Sequence, residues 1–229
     1  MDQTELEGFP GRSDGREPLL NAPWTILALS LGLIALYGLQ AFTLSDADLM
    51  RLALSAQGLA AGRWQGLFIS LFLHGSWAHV LMNSVAALAF GPPVARLMGT
   101  GPRGSAVFFL FYLVCGAIAG LGYVALNPHE QTPLVGASGA ISGLLGAASR
   151  LIQGRGRIGP MFGGTVIGMA AAWLIVNAIL GVTGLTPGAA GLVVAWQAHV
   201  VGYVAGVILI GPFARLAGRG AEAFAKAGH

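Results

Sequence analysis

Charge is what this 229-residue sequence has least of. Asp, Glu, Lys and Arg together make up 9% of it, against roughly 25% in an ordinary soluble domain. Twelve basic and nine acidic residues cannot cover the surface of a soluble fold of this length, and 55% of the chain is hydrophobic. Lipid must therefore be the solvent for most of it. A disordered chain, a nucleic-acid binder and a conventional soluble enzyme are all disfavoured. The formal charge of +3 arises from so few groups that it implies no polyanion site. Cysteine is scarcer still: Cys115 stands alone in an apolar run, which excludes an intrachain disulfide and a cysteine-based redox or zinc motif.

What is present are long charge-free stretches. Trp24 to Phe42 runs 19 residues without a charge, enough to cross about 30 Å of hydrocarbon as a helix. Five more candidates follow at about 77–95, 104–126, 137–152, 160–180 and 195–214. The expected fold is all-α, a polytopic membrane domain of six transmembrane helices over 24–215. It is flanked by an acidic cytoplasmic tail at 1–23 and a C-terminal cytoplasmic tail at 216–229. The N-terminal tail lacks the basic start and apolar core of a signal peptide. Segment 43–76 carries Asp46, Asp48, Arg51 and Arg63 between apolar stretches. It reads as a structured, partly interfacial loop with short helices, anchored by Trp64.

The few basic residues orient the domain. Placing both tails, the second-to-third loop and the fourth-to-fifth loop on one side collects ten of the twelve, leaving Arg51 and Arg63 opposite. The positive-inside rule then puts both termini in the cytoplasm. Arg96 and Arg150, near cytoplasmic ends of spans, are expected to snorkel. The loops at 43–76, 127–136 and 181–194 face outward.

No Asp, Glu, Lys or Arg lies in the interior of a span, which disfavours an ion-coupled or small-solute transporter. The spans do contain His79 near the start of the second and His199 near the start of the sixth, while Gly136-Ala137-Ser138-Gly139 opens the fourth. All three spans begin on the outer side, so charge counting alone brings Ser138, His199 and the pair His79 and Asn83 to one depth. A serine at a helix start flanked by Gly136 and Gly139 is a candidate nucleophile. His199 can serve as its general base where the fourth and sixth helices approach closely. Gly136, Gly139, Gly143 and Gly146 on one side, with Gly202 and Gly206 on the other, supply the small residues such an approach needs. With no acid in the third to sixth spans, only a dyad without a carboxylate is available. The backbone N–H of Ser138, the His79 imidazole and the Asn83 amide are candidate oxyanion donors; His79 and Asn83, four apart, share a helix face. Taken singly, each feature has a blander reading: Ser138 as a packing residue, His199 bonded to a carbonyl, Asn83 as a helix cross-link. His129 reads as a solvated loop histidine. His74 and His79 lie about 140° apart around a helix, and no neighbouring ligand completes a metal set.

His74-x-x-x-x-His79-x-x-x-Asn83, Gly136-Ala137-Ser138-Gly139 and Ala198-His199-x-x-Gly202-x-x-x-Gly206, in the second, fourth and sixth spans, resemble the rhomboid family of intramembrane serine proteases. The resemblance covers about residues 60–215. It implies Ser138 as nucleophile, His199 as general base, His79 and Asn83 as oxyanion-stabilising residues and a structural role for His74. It further implies cleavage of single-span membrane proteins at small residues near the outer face, without cofactor or metal. Loop 43–76 and the fifth span with its 181–194 loop are the expected gating elements, and a bacterial cytoplasmic membrane the expected location. Two departures stand out. The family's Trp-Arg pair is Arg63-Trp64-Gln65 here, which puts arginine anchoring of the loop in doubt. The aromatic that many members carry four residues after the nucleophile is Ser142, which predicts a less rigidly held histidine. A non-catalytic rhomboid-like protein that binds transmembrane clients is the alternative; the intact Ser138 and His199 pair disfavours it.

Overall fold

Each apolar stretch forms a helix, and three of the helices begin on a serine cap. A computed structural model of the chain describes residues 22–129, 132–183, 195–220 and 223–224. Most of the N-terminal tail, half of the C-terminal tail, residues 130–131 and most of the 181–194 loop lie outside the described residues. Helix α1, Trp24–Thr43, follows Pro23. Helix α2, Asp46–Leu52, opens on a capping box: the Ser45 hydroxyl accepts from Asp48 N–H while the Asp48 carboxylate accepts from Ser45 N–H. The Ser45 hydroxyl also donates to the Asp48 carboxylate at 2.6 Å, and this bond, with that from the Ser45 N–H, holds the Asp48 carboxyl below its ordinary value. Helix α3, Ala56–Ala60, is capped by Ser55. Helix α4, Gly66–Ile69, runs into a 3₁₀ turn, Ser70–Phe72. Segment 43–76 is thus a chain of short helices, as expected, with Trp64 exposed on it.

The long helices follow. Helix α5, Trp77–Met98, is capped by Ser76, and α6, Pro102–Leu126, starts with proline in its first turn, where no backbone donor is needed. Helices α7, Ser138–Gln153, α8, Gly164–Thr183, and α9, Trp196–Leu216, complete the bundle. Six helices therefore stand where six spans were expected, but among the described residues four of them, α1, α5, α6 and α9, are long and apolar enough to cross a membrane. For α7 the difference has a physical cause. Helix α7 has 16 residues, which cover about 24 Å at 1.5 Å each. It is sheathed by protein, with every residue from Gly139 to Leu151 buried, so it has no lipid thickness to match.

Helix α7 is the axis of the fold. A Cβ on Gly202 or Gly206 of α9 would overlap the carbonyls of Gly139 and Gly143, and one on Gly146 would overlap the Tyr203 carbonyl. The two backbones lie in direct contact, an arrangement that small residues permit and that van der Waals packing rewards in a bilayer. On another face Gly143 packs on Cys115 of α6. Helices α1 and α5 are joined by reciprocal bonds: each of Ser30 and Ser84 donates its hydroxyl to the other's carbonyl at 3.2 Å. Ile26 of α1 fills the notch left by Gly91.

At the end where α5, α7 and α9 terminate, basic side chains bond helix-terminal carbonyls. Arg103 donates to Leu216 O from Nε and Nη2 at 3.0 and 2.8 Å, and Arg219 donates to Leu97 O at 2.8 Å, placing positive charge at the negative helix ends. Arg150 departs from expectation. It does not reach outward; it is 6% exposed and donates to Gly159 O and Val207 O at 2.8 and 2.9 Å. Burial inside α7's protein sheath leaves it closer to backbone acceptors than to solvent. Beyond α9 the chain also turns back: Ile158 N–H donates to Ala223 O at 2.7 Å, and the Arg215 guanidinium sits 5.0 Å from the centre of the Phe224 ring.

Candidate active site

The approach to Ser138 is held by the loop segment. Leu54 and Leu134 exchange two backbone hydrogen bonds at 3.1 and 2.7 Å, and Gly136 N–H donates to Ser70 O at 2.9 Å. Gly136 has φ +118, and a Cβ there would stand 2.7 Å from the His79 ring. Both the left-handed backbone and the close ring demand glycine at this point. Two residues later Ser138 opens α7, half-buried, with its side chain at the end of the bundle where α5 and α9 also begin.

His199 sits in the first turn of α9, and the glycine contact between α7 and α9 carries it to the serine: Nε2 lies 2.7 Å from Ser138 Oγ. Residues 61 positions apart in sequence thus share one hydrogen bond. The other ring nitrogen, Nδ1, lies 2.5 Å from Oδ1 of Asn177 on α8. Trp173, one turn earlier on α8, packs its ring 5.8 Å from the imidazole at an interplanar angle of 41°. Ser142, where the family aromatic was expected, turns its hydroxyl to Ser138 O at 2.8 Å, and the aromatic contact comes from a different helix.

His79 and Asn83 converge on the same loop from α5. An added Gly136 Cβ would find the His79 Nε2 at 2.8 Å and the Asn83 Nδ2 at 3.7 Å. Asn83 is 5% exposed, and its Nδ2 makes no hydrogen bond among the described residues, so its N–H groups remain available beside the loop that delivers Ser138. His74 is buried, its ring 5.1 Å from that of His79 in edge contact. Gln40 of α1 grips the His74 backbone twice, donating to its carbonyl at 2.6 Å and accepting from its N–H at 3.0 Å. Arg63 lies against α3, where a Gly58 Cβ would meet its guanidinium at 3.4 Å. His129 is exposed in the turn after α6.

Sequence reasoning therefore brought Ser138, His199, His79, Asn83 and Gly136 to one place, and the structure has them there. It missed Asn177 and Trp173. The available signal was Trp-x-x-x-Asn in the fifth span, one helix face carrying the only polar amide of that segment. An asparagine there is costly in lipid unless something bonds it.

A serine hydroxyl bonded to an imidazole, with unspent N–H donors nearby, has the geometry of a nucleophile and general-base pair inside a helical membrane bundle. The family model described as the Rhomboid domain matches residues 61–215, and the chain belongs to that family. It is 37% identical over 89 residues to the rhomboid-family protein YdcA of Bacillus subtilis (strain 168), covering 39% of this chain and 42% of that one. Rhomboid protease GluP of the same organism is 36% identical over 89 residues, covering 39% and 16%. RHOMBOID-like protein 9, chloroplastic, of Arabidopsis thaliana is 36% identical over 89 residues, covering 39% and 19%. The aligned stretch spans less than half the length of each of these relatives.

Proposed function

We propose that this chain is an intramembrane serine endopeptidase that cleaves transmembrane segments of single-span membrane proteins near the outer face. The observation that carries the reading is the 2.7 Å contact between Ser138 Oγ and His199 Nε2; family membership and relatives named as rhomboid proteases support it. His199 Nε2 takes the hydroxyl proton as Oγ bonds the scissile carbonyl carbon, and the C=O π pair moves onto oxygen. The Ser138 N–H, His79 and Asn83 stabilise that oxyanion. On collapse the C–N bond breaks and Nε2 passes its proton to the leaving amine. Water then adds to the ester, giving a proton to Nε2, which returns it to Oγ as the acyl bond breaks.

In this reading α1, α5, α6, α7, α8 and α9 all cross the bilayer, with the basic end in the cytoplasm and the Ser138 end outward. Helix α7, about 6 Å shorter than the hydrocarbon slab, sets Ser138 below the outer surface in a cavity that water reaches. The test uses the full chain in phospholipid vesicles with a single-span substrate bearing small residues near its outer boundary. A cleaved fragment and a fluorophosphonate adduct are expected, and both disappear in Ser138→Ala and His199→Ala. Adduct formation that persists in Ser138→Ala refutes the assignment.

A further inference from the structure

We infer that Asn177 is a positioning residue that sets the tautomer of His199, extending the pair to Ser138–His199–Asn177. The inference rests on the proposed serine-protease reading and deepens it. Helix α8 is exposed along much of its length. Among its described side chains Val166 and Asn177 are buried, Asn177 at 2% exposure. An asparagine on such a helix needs partners for both halves of its amide, and it has them. Nδ2 donates to Trp173 O at 2.8 Å, one turn back on the same helix.

That bond decides the rest. A backbone carbonyl can only accept, so the amide nitrogen must face Trp173 and Oδ1 must face His199. Oδ1 in turn can only accept, so His199 Nδ1 carries the hydrogen across their contact. A neutral imidazole has one N–H. Nε2 is therefore the bare nitrogen, and it is Nε2 that faces Ser138 Oγ. The amide thereby presents the base form of the histidine to the nucleophile, and its oxygen remains in place to bond the imidazolium that forms when Nε2 accepts the proton. A carboxylate does this in serine proteases of other folds; here a neutral acceptor does it within the apolar body of the bundle. The Trp173 ring, on the same helix face, limits rotation of the imidazole.

A plain helix cross-link would have a similar geometry and behave differently in solution. The experiment takes the full chain in detergent micelles with 15N-labelled histidine, the His199 signals being identified by their loss in His199→Gln. The expected spectrum has a protonated Nδ1 and an unprotonated Nε2. The opposite tautomer in the unaltered protein overturns the inference without any variant. Asn177→Leu, close in size and without an acceptor, is expected to mix the tautomers and slow fluorophosphonate labelling by about 10- to 100-fold, within the general-base contribution. Asn177→Asp, which restores the acceptor, is expected to recover the tautomer and most of the rate. Labelling in Asn177→Leu equal to that of the parent, or an unaltered tautomer there, overturns the positioning role. Should the parent chain fail to label at all, the protease reading falls, while the tautomer spectrum still decides the role of Asn177.

Discussion

Helices α9 and α8 meet at the same imidazole from opposite circumstances. Helix α9 lays its glycines directly on the backbone of α7, and its buried face runs from Ala198 to Ala214. Helix α8 packs along a narrower face, with Val166, Met169, Ala170 and Trp173 against Leu145, Tyr203 and Val207. Near its start the Tyr203 hydroxyl donates to Val166 O at 2.7 Å; near its end Asn177 meets His199. The contrast separates two tasks. Bringing the serine and histidine together requires a contact that does not yield, and backbone-to-backbone packing supplies it. The directed contacts on the far side of the imidazole, from Asn177 and Trp173, come from α8, whose buried face is narrower. Polar tethers of this kind contribute on average about 0.6 kcal/mol each in membrane bundles.

The sharpest way to break this comparison is at the seam. Gly206→Leu would drive a side chain into the Gly143 carbonyl, and we expect complete loss of fluorophosphonate labelling with about 1–3 kcal/mol of destabilisation in a detergent-unfolding assay. Full labelling in that variant would mean that the seam does not set the Ser138–His199 distance. Next comes Asn83→Ala, which leaves both α7–α9 packing and α8 untouched; in the proposed mechanism it removes one oxyanion donor and should lower kcat about 10²- to 10³-fold, measured as fragment release from a membrane substrate. On the α8 side, Trp173→Ala should slow labelling by roughly 10-fold and lower stability, because the ring also packs beside Leu145, Val166, Tyr203 and Val207; Trp173→Phe should recover most of both, since a ring contact adds about 0.5–1.5 kcal/mol. Tyr203→Phe removes the tether at the other end of α8 and should cost about 1 kcal/mol of stability, with labelling reduced by less than in Trp173→Ala. Ile175→Ala, on the exposed face of α8, should change stability by less than about 0.5 kcal/mol and leave turnover unaltered; a larger loss would show that this face packs against protein.

Much of the site was legible because each motif is local and each opens a helix. His79 and Asn83 lie four apart, Ser138 stands between two glycines, and His199 precedes a G-x-x-x-G run, so the chemistry and the packing signal occupy the same few residues. The helices were legible for the same reason: absence of charge over many residues is a property of a segment. Span number was harder. Helix α7 reads as a short, serine-containing segment whose suitability for a bilayer depends on what surrounds it, and Arg150 reads as a snorkelling cation until the carbonyls of Gly159 and Val207 are brought beside it.

Asn177 and Trp173 mark the limit. A Trp-x-x-x-Asn pair on an apolar helix is as compatible with an interfacial belt and a helix cross-link as with support of a base. The sequence by itself determined that the protein is built for lipid, that its helices fall where they do, and that no carboxylate stands in the helices that carry Ser138 and His199. Only the tertiary structure decided which neutral group faces Nδ1 of His199 and which helix provides the ring beside it. Helical period places residues on a face, but the rotation of one helix about its axis against another is set by packing across the bundle, which no single segment encodes.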